Sequence, residues 1–516
     1  MSVKSGTART ACHPRRSSKV ITLGLALSLL PVPALSFDWA AVPNIPDVLD
    51  DPLDTRPPVL EQGAVLPGDR HGIVCPVEKD FAAPLLLDEA VDLALCHHPQ
   101  AQAAWAELKI QAANLGVAKA GYWPTVNAAV NHLNSYYQYP DSPLPSSETD
   151  GFTLYGNLSW RLFDFGGRAA NLAAANWLLT QALANQDAVF QRLLDGVIQA
   201  YFDAQTAHAQ RQAKTESEAL AGQTLASARR REASGASSRS DTLQAETALA
   251  KTALGRSRAD GDYRKALAVL RQAMGIAPET VLTLPENAEP EQTGETLAQD
   301  GRDLQIWLAE AKRRHPAIVA AEAQWEAAKQ RIVQARSEGL PTLDFSLNAY
   351  QNGYPNQALS QNQTRVETIG INLTIPLFEG FARTYKIRGA QAQAEQRAAE
   401  LADTERQTLL NVVKAHAEAE AALRNLSYSA TWLDSAQTAV ASSQRRYDKG
   451  AADILELLNT QTALADARQE RLRTLADWRA ARLRLFTSTG LLGRDMIEQA
   501  EGRARNGKPV ITTPER

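Results

Sequence analysis

The spacing of apolar positions changes twice within each half of the chain. From Phe152 one set reads Phe152, Leu154, Gly156, Leu158, Trp160 and Leu162. Between them lie Thr153, Tyr155, Asn157, Ser159 and Arg161. This period of two describes a strand with one apolar and one polar face. Leu343, Phe345, Leu347 and Ala349 repeat it, as do Ile369, Ile371, Leu373 and Ile375 against Thr368, Gly370, Asn372 and Thr374. A further strand over Thr125 to Tyr137 alternates less cleanly. Two strand pairs are predicted, joined by the polar loops "YPDSPLPSSETDG" at 139–151 and "YPNQALSQNQT" at 354–364.

Around the strands the period is helical. Residues 164–234 and 379–449 contain no proline. Each stretch of about 70 residues makes a rod of roughly 105 Å. Phe190, Leu194, Val197 and Tyr201 form a packing stripe on the first. A return helix of about 38 residues follows each rod, and one of about 37 residues, with a break near Pro99, precedes each strand pair. Two such shorter helices end to end match one rod. Pro124 and Pro341 stop the preceding helices, because proline lacks a donor and clashes with the turn before it.

The pattern occurs twice. "RREASGASSRSDTLQAETALA" at 230–250 meets "RRYDKGAADILELLNTQTALA" at 445–465 at an offset of 215. His98-Pro99 meets His315-Pro316 at 217. The chain is a tandem duplication, and long-period self-similarity fixes the organisation before local detail does. The organisation reads as a leader at 1–36, a proline-rich extension at 37–84, repeat one at 85–275, a linker at 276–303, repeat two at 304–490 and a polar tail at 491–516. Within the duplicated motif, Gly235 and Gly450 are natural residues for ending a helix in left-handed backbone. Arg230 and Arg231, and Arg445, Arg446 and Lys449, suit the negative end of the rods. Ser238-x-x-Asp241 and Asp453-x-x-Glu456 read as capping boxes opening the return helices.

Of the 516 residues, 44% are hydrophobic, and the mean hydropathy is −0.31. No helical membrane span is expected beyond the first forty positions. "VITLGLALSLLPVPALS" behind Lys4, Arg9, Arg15, Arg16 and Lys19 reads as a secretory signal, with cleavage after Ser36 or Ala34. Arg15-Arg16 leaves twin-arginine export as the minor reading. No cysteine closely follows the apolar run, against a lipoprotein anchor. Cleavage takes five cations from 54 and none of the 58 acids, leaving −9. That excludes a basic nucleic-acid surface. Cys75 and Cys96 remain, enough for one disulfide in an oxidising compartment. Cys96-His97-His98 has no second ligand pair and is not read as a metal site. No cofactor motif and no catalytic constellation is present.

An exported chain with four amphipathic strands of about 13 residues, each about 43 Å long, has strands able to cross roughly 30 Å of hydrocarbon. A sheet in lipid tolerates no open edge, and single-chain barrels take about eight strands or more. Several chains must therefore pool strands, and three would supply twelve. Tyr122, Trp123, Tyr136, Tyr137, Tyr139, Phe152, Trp160 and Phe163 cluster near strand ends, as interfacial girdles do. A soluble sheet protein with coiled coils explains the alternation but not the leader with rods of this length.

The order of helix, strand pair, very long helix, glycine turn and return helix, occurring twice, resembles the TolC family of outer-membrane channel-tunnels. "ARSEGLPTLDFSL", "LTIPLFEGFA" and "RRYDKGAADILELLNTQTALADARQ" are similar to it in detail, and the likeness spans about 85–490. The resemblance implies a mainly α fold with a transmembrane β part. The protomer is a tandem duplication of long helical hairpins plus four β-strands, trimerising into a 12-stranded β-barrel and a 12-helix periplasmic α-barrel. It implies a homotrimer in outer-membrane lipid, with most of the chain in the periplasm. A periplasmic adaptor and an inner-membrane ABC transporter or other pump are its implied partners. The family's closed tip implies roles for Tyr447 and for the acidic positions Asp241 and Glu456. Its bonding arginine falls here at Ala452 and a second aperture aspartate at Asn459, so the latch is expected to be built differently, with Arg239 a candidate.

The expected function is a passive conduit for type I protein secretion, not an enzyme. The alternative is the outer-membrane part of a small-molecule efflux pump. A periplasmic adaptor or a structural coiled-coil protein is the third reading.

Overall fold

The computed structural model describes residues 52–55, 83–140, 143, 145–285, 303–352, 364–490 and 492. The leader, most of the extension, most of the linker and the tail lie outside them, as does residues 353–363 of the second loop. Of the compact unit Met1–Pro52 only Pro52 is described; all that follows concerns the unit Leu53–Arg516.

Repeat one comprises α1 (Leu87–His97), α2 (Pro99–Ala120), β1 (Thr125–Tyr137), β2 (Ser147–Phe163), α3 (Gly167–Ala233) and α4 (Arg239–Met274). Repeat two comprises α5 (Leu304–Arg314), α6 (Pro316–Ser337), β3 (Thr342–Gln351), β4 (Arg365–Thr374), α7 (Ala382–Asp448) and α8 (Ile454–Thr489). Both rods have 67 residues and both return helices 36. Helix bounds in the two repeats keep the 217 and 215 offsets at both ends. One antiparallel sheet holds the strands in the order β1-β2-β3-β4.

The strands depart from expectation in length. They have 13, 17, 10 and 10 residues rather than about 13 each. The first loop is shorter than its composition predicts. Tyr137 pairs with Ser147 and Leu133 with Gly151, so 147–151 belongs to β2 and the connection is 138–146. Ser-Glu-Thr-Asp-Gly has poor strand propensity, but an antiparallel partner satisfies its backbone and overrides that preference.

The helix preceding each strand pair is two helices. His98 and His315 are extended, each carries the cap through its own Nδ1, and proline follows at the first helical position. Thus α1 and α5 turn aside, while α2 and α6 continue toward the strands. The end of α4 meets the start of α2: a Cβ on Gly275 would lie 2.7 Å from His98 Cα. The end of α8 meets α6 the same way, Gly490 lying against Pro316 and His315. Stacked pairs α2/α4 and α6/α8 therefore lie beside the continuous rods.

At these joints α1 and α5 cover the main core. Phe190, Leu194, Val197, Ile198 and Tyr201 of α3 meet Leu87 and Val91 of α1, Leu270 and Met274 of α4, and Trp307 of α5. The Trp307 and Phe486 rings meet edge to face at 5.3 Å. Toward the glycine turns the seams within each hairpin are small apolar clusters: Leu225, Ala228 and Ala245 in the first, and Tyr447, Ile454 and Leu457 in the second. Between hairpins, α3 and α8 share the main core and also carry polar ties. Gln461 donates to Thr224 at 3.1 Å, Arg468 to Glu216 at 3.1 Å and Arg484 to Asp195 at 3.3 Å. Cys96 is disulfide-bonded, while Cys75 lies outside the described residues.

Gly275 and Gly235 share left-handed backbone, φ +69° and +72°, but only Gly275 abuts another chain segment. Gly235→Ala is expected to cost about 1–2 kcal/mol for its backbone alone. Gly275→Ala adds a clash with His98 and should lower the melting temperature further. Equal shifts in thermal unfolding would refute the close approach.

Burial pushes the His315 pKa from 6.5 down to about 4. The folded state holds the neutral ring, so its contribution is full above 6.5 and is lost as pH falls toward about 4. Asp187 on α3 runs the other way: burial raises it from 3.8 to about 6. Its contribution is full below 3.8 and is lost as pH rises through about 6. His315→Asn keeps a capping acceptor and should flatten the loss of stability on acidification. Asp187→Asn should raise the melting temperature at neutral pH. Thermal melts across the interval check both, and an unchanged acid slope for His315→Asn contradicts the assignment.

Candidate functional site

Two parts of the molecule carry function: the sheet and the hairpin tips. The register aligns every alternation. Val126, Val130, Phe152, Leu154, Leu158, Phe345, Leu347, Ile369, Ile371 and Leu373 share one face. Most of them are exposed, Val126 and Ile369 each at 72%. The opposite face is hydrogen-bonded and polar. Tyr155 and Asn157 both donate to Asn348 Oδ1, at 3.1 and 2.8 Å. Asn372 donates to Ser346 at 3.1 Å, and Arg161 pairs with Asp344 at 2.9 Å. A ten-residue strand is about 33 Å long, and a tilt near 45° leaves about 23 Å, close to the apolar band of an outer-membrane barrel. At the helix end of the sheet sit exposed Trp123, Trp160, Phe163, Phe378 and Phe381. Trp160 Nε1 donates to Tyr122 O at 2.9 Å, and the Arg168 guanidinium lies 4.9 Å over the Tyr122 ring. The outer edges of β1 and β4 have no partner strand among the described residues.

The tips begin at Gly235 and Gly450, with φ +72° and +75°. In each, the residue after the glycine donates back to the arginine five before it, and the glycine to the residue three before it. This closes the last carbonyls of both rods. The two return helices then start differently. Ser238 and Asp241 make a full capping box. Asp453 accepts from Glu456 N at 2.7 Å, but no return bond forms. Instead Glu456 accepts from Arg446 at 2.7 Å. The second capping box is therefore half-made, because the longer Glu456 carboxylate reaches a cation on its own rod.

One contact joins the tips. Arg231, near the end of α3, lies 4.7 Å over the Tyr447 ring of α7. It also donates to the Tyr447 carbonyl. A cation at that carbonyl sits at the negative end of the α7 dipole, supplied by the other hairpin. Tyr447 is buried at 3% exposure and its hydroxyl has no hydrogen-bond partner among the described residues. Burial raises its pKa, partly offset by Arg231, while Asp241 and Asp448 add to the rise. Asp241 therefore stands near Tyr447 but spends its oxygens on its own helix start. Arg239, the candidate tie, is exposed and makes no side-chain contact among the described residues; Asn459 is exposed as well. Sequence reasoning placed Arg231 at the end of a rod for its dipole but did not see it crossing to the other hairpin. Cys96, His97 and His98 are otherwise engaged: in a disulfide, against Leu93 O, and as the cap of α2.

The chain matches the outer membrane efflux protein family over residues 90–276 and 307–491, one match per repeat. It is 35% identical over 425 residues to protein CyaE of Bordetella pertussis, covering 82% of this chain and 88% of that protein. Two similar proteins of Pseudomonas aeruginosa have different cargo in their names. The pyoverdine export outer membrane protein OpmQ is 27% identical, covering 83% of this chain and 89% of OpmQ. The alkaline protease secretion protein AprF is 24% identical, covering 37% and 40%. Among solved structures, the outer membrane protein VceC of Vibrio cholerae superposes with a TM-score of 0.68 at 19% identity, over 78% of this chain and 96% of VceC. The duplicated hairpins, the two-faced sheet and these matches lead to one conclusion: the chain belongs to the outer membrane efflux protein family, an outer-membrane channel component of an export system and not an enzyme.

Proposed function

We propose that three copies of this chain form the passive outer-membrane conduit of a tripartite exporter serving type I protein secretion. The observation that carries the reading is a four-stranded sheet with one apolar face, one polar face and two edges unpaired among the described residues, continuous with helical rods 67 residues long. Lipid forbids open strand edges, and four strands cannot enclose a lumen. Three copies supply twelve strands, with the Asn348 and Arg161–Asp344 network lining the inside. The rods continue the lumen through the periplasm to the glycine turns. A periplasmic adaptor and an inner-membrane ABC transporter or other pump engage that end and supply the energy. No cofactor takes part.

The likeness to a protein named for alkaline protease secretion supports protein cargo. The family's description as efflux and the likeness to a pyoverdine exporter favour the alternative of small-molecule cargo. Disrupting the gene in its host separates them. Loss of a protein from the culture supernatant supports secretion, whereas unchanged secretion with raised sensitivity to toxic small molecules supports efflux.

The loop at 138–146 faces the cell exterior in this reading, and the glycine turns face the pump. Ser146→Cys should react with an impermeant thiol reagent on intact cells, and Ser237→Cys should not. The reverse labelling would invert the topology.

The tip is the gate, held within one protomer by Arg231 on Tyr447. Arg231→Gln removes both the ring contact and the charge on the carbonyl and should raise single-channel conductance in planar bilayers. Tyr447→Phe keeps the ring and carbonyl and deletes only an unpartnered hydroxyl, so conductance should stay near wild type. Asp241 and Glu456 ring the mouth, and Asp241→Asn with Glu456→Gln should lower cation selectivity. A Tyr447→Phe channel as leaky as Arg231→Gln would overturn the assignment of the tie.

A further inference from the structure

Between the rods α3 and α7, helices α6 and α8 meet end to end at their joint. On one face α5 covers that joint, with Trp307 against Phe486 of α8. Ser488, two residues on and about 200° round the helix, lies on the other face. There it lines an open groove of about 840 Å³.

The groove is a trough along the rods. Small residues of α6, Ala317, Ala320 and Ala321, line its floor. One wall is a column on α7: Asp403, Gln407, Asn411, Lys414 and Glu418. Each follows the last by three or four residues, so the five share one face of the helix. The column runs about 22 Å from Asp403 to Glu418. The other wall is α3, with Asn185, Arg192 and Asp195. Arg484 of α8 crosses the end nearer the glycine turns, donating to Asp195 at 3.3 Å and to Glu418 at 3.2 Å.

The chemistry of these walls narrows what can lie between them. The side chains of Asn185, Gln407 and Asn411 have no bonding partner among the described residues. Each amide can both give and take a hydrogen bond. Gln191 of α3 also lines the groove, at 5% exposure, and its Nε2 has no hydrogen-bond partner among the described residues. An unpaired donor at a cavity wall suits a ligand that carries carbonyl oxygens. The charges balance: Arg192, Lys414 and Arg484 stand against Asp195, Asp403 and Glu418. His315, also in the lining, is held neutral by burial at neutral pH. No Phe, Tyr or Trp lines the groove, so it offers no such ring for a sugar or a base to stack on.

We propose that this groove holds a neutral, extended polypeptide segment and is a resting place for protein cargo on the inner wall of the conduit. The proposal rests on the secretion reading above and gives the passing chain a place on that wall. A second helical layer inside a tube would obstruct it. Helices α1 and α5 therefore belong to the outer wall, and the groove opens inward. An extended chain rises about 3.3 Å per residue, so roughly six or seven residues fill the length. Its backbone offers one donor and one acceptor per residue, which the amides of both walls can meet. The alanine floor lets that backbone come close. A conduit must also release what it holds, and neutral hydrogen bonds exchange for water at little net cost.

The test uses the full-length chain in detergent and in planar bilayers, with the capped neutral hexapeptide acetyl-(Gly-Asn)3-amide as probe. Titration calorimetry should show the peptide binding to wild type. Gln407→Leu with Asn411→Leu should weaken binding about tenfold or more and shorten the peptide's interruptions of single-channel current. Gln437→Leu, exposed on the same rod outside the groove, should change neither. Hexapeptides in which aspartate or lysine replaces asparagine should bind less well than the neutral one. Maltohexaose should not displace the peptide. Equal binding by wild type and the double variant, displacement by maltohexaose, or tighter binding of a charged peptide would each overturn the proposal. A channel that conducts but binds no peptide leaves the conduit standing and removes the groove's role. A chain that forms no conducting channel brings down both readings.

Discussion

Backbone hydrogen bonding in lipid is the constraint on which this molecule turns. Each residue of a strand carries a donor and an acceptor, and hydrocarbon offers neither. The sheet satisfies three internal ladders and leaves the flanks of β1 and β4 open. A water-soluble protein tolerates such edges by solvating or charging them. Here the residues beside those edges, Val126, Val130, Ile369 and Leu373, are apolar and exposed. Among the described residues the sheet therefore keeps two unpaired edges flanked by apolar side chains.

The helical part mixes apolar and polar contacts along its seams. Within each hairpin, small apolar clusters accompany ion pairs such as Arg229 with Glu246 and Arg446 with Glu456. Between hairpins, polar ties spaced along α3 and α8 accompany a shared apolar core and end in Arg231 on Tyr447. Apolar seams are costly to open because opening exposes surface to water. Exposed polar ties exchange for water at little net cost, with medians near 0–1 kcal/mol for surface ion pairs. The dense core sits far from the tips, at the joints where α1 and α5 cover the ends of the stacked helices.

The joints themselves are made by two residue types placed twice. A histidine-proline pair stops one helix and starts the next, and a glycine on the opposing helix gives that start room. The same device appears in each repeat, with an offset of 217 for the His-Pro pairs and 215 for the glycines. At the second joint burial lowers the His315 pKa to about 4, which ties that joint to acid.

The sequence by itself determined the duplication, the strand faces, the rods and their glycine turns. Each is a local periodic signal: proline and glycine set backbone limits, and alternation must match the pleat wherever one side meets lipid. It also placed Arg231 and Arg446 alike, at the ends of matching rods. Tertiary structure alone decided that these twins differ, Arg231 crossing to Tyr447 and Arg446 folding onto Glu456. It decided too that 147–151 joins β2, and that Asp241 closes a capping box while Glu456 does not. In every such case the partner lies on another element or depends on the reach of one side chain. Local pattern carries the backbone's preferences. Which oxygen or ring a long cation finds depends on distances across the fold, and no spacing along the chain encodes those.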